Sequence, residues 1–162
     1  AHGLVVPDES NQAVRQEDGS NVLRLSPSEV LVLGPLSGRA GPAARLEAAW
    51  AAERPASGPR GFPVPRAETH AWFRIAGEWA AELFAKLCAV DLRPAKFAHG
   101  QIAQTHVAQL SAIVLRDDQG SGLAYDLLAD SASAVYLWSV LGDAVAEFGG
   151  RPVGLSALWG PD

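Results

Sequence analysis

The sequence predicts an α+β fold, with an antiparallel sheet packed against helices. Two observations point to it. Strand-like runs follow one another with only short turns between them, as antiparallel hairpins require. Three other segments repeat apolar residues at helical spacing, and these interrupt the strands rather than alternating with them one for one. The resulting order is ββα, βα, βββα. A chain of 162 residues has the length of one domain, read here as residues 22–150, with a polar arm over 1–21 and a tail over 151–162.

The arm contains Asp8-Glu9-Ser10-Asn11-Gln12 and Gln16-Glu17-Asp18-Gly19-Ser20-Asn21. It has too little apolar surface to offset its ordering entropy and is expected to be disordered unless a partner surface orders it. Val22-Leu23-Arg24-Leu25 and Glu29-Val30-Leu31-Val32-Leu33 follow as two strands around Ser26-Pro27-Ser28, a β-hairpin. The second strand is apolar on both faces and is expected at the centre of a sheet or under a partner. A helix over 42–54 opens at Gly41-Pro42 and closes at Pro55. A long crossing loop rich in proline then runs to Glu68.

Thr69–Ile75 reads as a strand. The helix over 78–87 sets Trp79, Leu83 and Leu87 on one side, with Glu78, Glu82 and Lys86 opposite. Residues 101–116 read as extended, Asp117-Asp118-Gln119-Gly120-Ser121-Gly122 as a hairpin turn, and Leu123, Tyr125 and Leu127 as one face of the return strand. Asp130-Ser131-Ala132-Ser133 supplies caps for a helix over 134–148, whose buried stripe is expected to be Trp138, Leu141, Val145 and Phe148. Gly149-Gly150 ends it.

Composition removes several function classes. A net charge of −5, with 13 scattered basic residues, argues against nucleic-acid binding, which needs clustered cations. No apolar run reaches the ~18–20 residues of a membrane span. Nothing resembles a secretory signal, so a cytoplasmic location is the expectation. One cysteine rules out an internal disulfide and any zinc cluster built on cysteines.

Each candidate for chemistry has a better structural explanation. His2, His70, His99 and His106 form no metal-ligand spacing, although His99 and His106 are placed where they could approach each other. Cys88 follows a helix C-terminus, where the dipole disfavours a thiolate, and reads as a small buried hydrophobe. Asp117 and Asp118 read as turn residues rather than as an acid/base pair or calcium ligands. Gly34, Gly38 and Gly41 match no phosphate-binding loop, and no G-x-S-x-G elbow occurs. No catalytic, cofactor-binding or metal site is therefore expected in this chain.

Taken together and in order, several segments resemble the γ subunit of heterotetrameric sarcosine oxidase. Asn21-Val-Leu-Arg-Leu-Ser-Pro-Ser-Glu29-Val-Leu-Val-Leu33 is similar to that family's opening motif. Leu87-Cys88-Ala-Val-Asp91-Leu-Arg-Pro-Ala-Lys-Phe97 and Gln104-Thr105-x-x-Ala108-Gln109-Leu110 are similar to its central motifs, and Leu127–Phe148 to its closing strand and helix. Val30 stands where the family has an aromatic residue, and Gln109 where it has a basic one. The resemblance implies the fold of the first domain of the glycine-cleavage aminomethyltransferase, or T-protein. It also implies a small non-catalytic subunit that stabilises a flavin-dependent oxidase. That oxidase demethylates sarcosine to glycine and passes the one-carbon unit to tetrahydrofolate. The expected partners are the α, β and δ subunits, which would carry FAD, FMN, NAD, tetrahydrofolate and zinc. Two alternatives stand beside this reading: the equivalent subunit of an N-methylglutamate dehydrogenase, and a stand-alone folate-binding or aminomethyltransferase-like domain. Aromatic residues enriched at obligate interfaces make Phe62, Trp72, Phe97 and Trp159 the candidates for burial by partners.

Overall fold

The computed structural model describes residues 3–37, 42–52, 61–120 and 122–154. They form an α+β structure of antiparallel sheets and helices, in two compact units that divide after Arg66. The boundary between the two units falls inside the proline-rich crossing segment.

In the first unit, β1 (Gln12–Arg15), β2 (Asn21–Ser26) and β3 (Glu29–Leu33) form a three-stranded sheet in that spatial order. The predicted hairpin is present, with Ser26 opposite Glu29 across Pro27-Ser28. The expectation for 1–21 is corrected, because Gln12–Arg15 pairs with Asn21–Arg24 of the same chain. Polar ties do the ordering that apolar burial could not. The Gln16 amide brackets Val5, accepting from its N–H at 2.9 Å and donating to its carbonyl at 3.0 Å. Arg24 Nε donates to the Pro7 carbonyl, and Asp18 Oδ1 accepts from the Ser20 N–H at 2.9 Å across the β1–β2 turn. The central position expected for β3 is corrected for the same reason. With β1 on the other side of β2, β3 lies at the sheet edge, and β2 is the strand buried on both faces through Val22, Leu23 and Leu25. Helix α1 (Ala43–Ala52) occupies the predicted segment.

The second unit holds β4 (His70–Ala76), α2 (Ala80–Leu87), β5 (Ile102–Val107), β6 (Leu110–Arg116), β7 (Ala124–Asp130), a 3₁₀ turn (Ser131–Ser133) and α3 (Ala134–Glu147). The sheet order is β4-β7-β6-β5, antiparallel throughout. The core joins one sheet face (Ile75, Val107, Val114, Tyr125, Leu127) to α2 and α3. Phe84 of α2 meets Tyr125 edge-on at 5.2 Å between centroids.

Two details differ from the sequence reading. The extended run 101–116 is broken into a hairpin by Ala108 (φ 49°) and Gln109 (φ 68°), with Val107 opposite Leu110. Two consecutive left-handed residues are what a type I′ turn requires, yet neither is the Gly or Asn that usually announces one. Second, α3 buries Leu137, Leu141 and Ala144, while Trp138 stays half exposed with its ring against Phe73 of β4. Leu137 and Trp138 are one residue, or about 100°, apart, so an apolar residue at each position left the phase of the helix open. The helix start and end follow the prediction. Asp130 Oδ1 accepts from the Ala132 N–H at 2.8 Å. Gly150 and Gly149 donate to the Val145 and Ala146 carbonyls at 3.0 Å each, a Schellman closure with Gly149 at φ +70°.

Candidate functional site

The chemistry-bearing residues converge on the sheet face opposite the helices. Trp72 and Arg74 are two residues apart on β4 and therefore share a face. The register sets Arg74 directly opposite Asp126 of β7. Arg74 Nη1 donates to both Asp126 oxygens, at 2.8 and 2.9 Å, and Trp72 Nε1 donates to Oδ1 at 3.0 Å. Arg74 also reaches the start of the β6–β7 turn. Its Nη2 donates to the Asp117 carbonyl at 2.6 Å, and its Nη1 lies 3.4 Å from Asp117 Oδ2, which accepts from Gln119 Nε2 at 3.2 Å. The side chains of Arg74, Asp117 and Asp126 are 7%, 3% and 0% exposed. Burial pushes the Asp126 carboxyl above its ordinary value; the Arg74 charge and the Trp72 and Arg74 hydrogen bonds oppose the rise, and the Asp117 charge adds to it.

Such a cluster can lock a strand pair and a turn together. Both oxygens of Asp126 are occupied by protein donors, and no buried side-chain nitrogen or oxygen among the described residues lacks a partner. The carboxylate is thus held in a clamp between β4 and β7. Asp117 is thus more than a turn former. Its neighbour Asp118 anchors a second group. Arg116 bonds it through Nη2 at 2.7 Å and Nε at 3.2 Å, and the Ala124 N–H at 3.1 Å. Burial acts to raise the Asp118 carboxyl, but these bonds and the Arg116 charge hold it below its ordinary value.

Arg116 also explains the segment Asp91–Phe97. Its Nη1 donates to the Phe97 carbonyl at 2.6 Å, the Tyr125 hydroxyl donates to the Leu92 carbonyl, and Leu92 and Phe97 are buried. Burial pushes the Tyr125 hydroxyl up to about 12. At the loop's rim, Arg93 donates to Asp91 at 2.6 and 2.8 Å and holds that carboxyl down to about 2.

The interface candidates separate. Phe62 is 73% exposed, and Trp72 is 37% exposed with its indole N–H committed to Asp126. Phe97 is corrected: it stacks on Tyr125 at 6.5 Å between centroids and is buried by its own chain. Trp159 lies outside the described residues, as do His2, Gly38 and Gly41. His99 Nδ1 accepts from the Asp118 N–H at 3.1 Å, and extended β5 separates it from His106. His70 Nδ1 bonds the Thr69 hydroxyl at 2.9 Å. Cys88 is buried at the end of α2 and pairs through its backbone with Val107. Among the described residues, no group of three or more His, Cys, Asp or Glu is placed to hold a metal, and no helix is long and apolar enough to cross a membrane.

The sequence reading missed both the Arg74–Asp126 pair and an exposed apolar surface on α3, where Val135 is 84% and Trp138 54% exposed. The signal for the first was a charge in the middle of each of two otherwise apolar strands. For the second it was that the charges of α3, Asp143 and Glu147, fall on one side only.

The profile of the GCVT N-terminal domain matches residues 22–159, most of the chain. The chain belongs to the GCVT N-terminal domain family. Among solved structures, this GCVT-type chain is similar to one in the heterotetrameric sarcosine oxidase from Corynebacterium sp. U-96, determined in complex with pyrrole 2-carboxylate. The TM-score is 0.74 at 21% identity, covering 94% of this chain and 73% of that one. That likeness establishes a shared fold. Among curated proteins, none matches the sequence. The match begins at Val22, within β2.

Proposed function

We propose that this chain is a small non-catalytic subunit, of the γ type, in a heterotetrameric flavin-dependent oxidase that demethylates sarcosine. The observation that carries the reading is the fold likeness to a chain of such a heterotetramer over nearly the whole length of this one. The closed Arg74–Asp126–Asp117 clamp supports it, since the most buried polar cluster described here is spent on holding strands. In this reading the partner subunits carry FAD, FMN, NAD, tetrahydrofolate and zinc, and this chain supplies surface rather than reacting groups.

The test is to purify the tagged chain from its native cell. Larger chains with flavin absorbance should accompany it in fixed ratio, and the complex should turn over sarcosine while the isolated chain does not. Family membership favours one other reading, a free-standing folate-binding domain. That reading predicts a monomer whose Tm rises with tetrahydrofolate, and such a monomer would overturn the subunit assignment. Turnover of N-methylglutamate in place of sarcosine would reassign the substrate and leave the subunit role intact.

A further inference from the structure

We propose that the outward face of α3 is the docking surface for a different chain, one that presents apolar side chains flanked by lysines or arginines. The proposal rests on the subunit reading and names the surface that reading requires.

A helix lying on the outside of a domain normally carries charge on its solvent side, and one that is apolar all round is buried. Helix α3 carries charge along only one side. Its 14 residues include two charges, Asp143 and Glu147, and Glu147 is engaged by Lys86. The inner side, Leu137, Leu141 and Ala144, packs on the sheet. The outer side runs through Val135, Trp138, Ser139, Gly142 and Ala146, at the spacing that stacks residues along one helix face. Val135 projects, Trp138 presents the half of its ring not packed on Phe73, and Ser139, Gly142 and Ala146 are small, so the surface offers apolar prominences beside a shallow track. Trp79, exposed and stacked on Phe148 at 6.1 Å, extends the apolar area past the helix end.

Charge identifies the occupant. The two charges on α3, Asp143 and Glu147, are both acidic, and the base beside them, Lys86 of α2, is paired with Glu147. A second copy docking through this face would set these acids against their own copies, because a two-fold interface uses the same patch twice. An anionic bilayer is repelled by the same charges. A different protein with a basic rim satisfies both the apolar face and its border.

The test uses the full chain in its native cell, carrying a photo-crosslinking residue, Val135→p-benzoylphenylalanine, and an affinity tag. The proposal expects a crosslink to a different chain, mapped to a peptide with apolar residues flanked by Lys or Arg. It also expects Asp143→Arg and Trp138→Ser each to lower recovery of the complex at least about tenfold. Asp143 is exposed, so Asp143→Arg should leave the purified chain's Tm unchanged; this separates lost docking from lost folding. A crosslink only to a second copy overturns the proposal. An intact complex with no crosslink from position 135, and no effect of either substitution, overturns it while leaving the subunit reading standing. A chain that purifies alone as a monomer overturns both.

Discussion

Replacing Arg74 by methionine removes the one cation from a cluster whose two carboxylates are almost wholly inaccessible to water. Methionine keeps much of the stem volume, so the change is chiefly one of charge. Breaking a buried pair by removing one partner costs about 3–5 kcal/mol, because the remaining charge is left without compensation. Whole domains hold only about 5–15 kcal/mol, so Arg74→Met should bring this one close to unfolding. With a urea m value of about 1–3 kcal/mol/M, the denaturation midpoint should fall by at least ~1 M. The pH dependence sharpens the test. The folded Asp126 carboxyl already sits above its unfolded value of 3.8, and losing Arg74 raises it further. A carboxyl raised on folding favours the fold when protonated, below its unfolded value, and that advantage disappears as pH rises through the folded value. The variant's deficit should therefore be greatest near neutrality and shrink on acidification, and Arg74→Met with Asp126→Asn should recover part of it. A neutral-pH loss under about 1 kcal/mol, or a loss independent of pH, would refute the claim that this pair is buried and mutually dependent.

Three other outcomes are expected. Tyr125→Phe strands the Leu92 carbonyl and should cost about 1–2 kcal/mol in chemical denaturation; in an ultraviolet titration of the native chain it should also abolish the tyrosine step near pH 12, and up to that step the wild type should lose stability as pH climbs from 10. Gln109→Gly relieves a left-handed backbone at an exposed turn position and should raise stability by up to about 1 kcal/mol, read as a higher Tm. Asp118→Asn should cost about 1–2 kcal/mol at neutral pH by weakening the Arg116 bonds; because the folded carboxyl lies below its ordinary 3.8, that contribution is present above 3.8 and lost as pH falls through the folded value, so wild type and variant should converge in acid.

Much of this protein follows from its sequence alone. Helical spacing and caps located α1, α2 and α3 to within a few residues, because a helix is a local object whose start and stop groups lie within a turn of one another. Pro27 announced the β2–β3 hairpin, and Gly149-Gly150 the end of α3, since each satisfies a backbone demand that few residues meet. Ordered motifs pointed to the family. Tertiary structure alone decided what depends on pairing between distant segments. Strand β1 exists because Asn21–Arg24 offers its hydrogen bonds to Gln12–Arg15, a match that the polar composition of the arm conceals. The hairpin at Ala108-Gln109 is held by its flanking strands, not by residues suited to it. Arg74 meets Asp126 only because β4 pairs with β7 in that register, across 52 residues of chain. The same distinction governs the surface. Sequence shows that α3 has apolar residues on more than one side, but only packing against the sheet chooses Leu137 for the interior and leaves Val135 exposed and Trp138 half exposed.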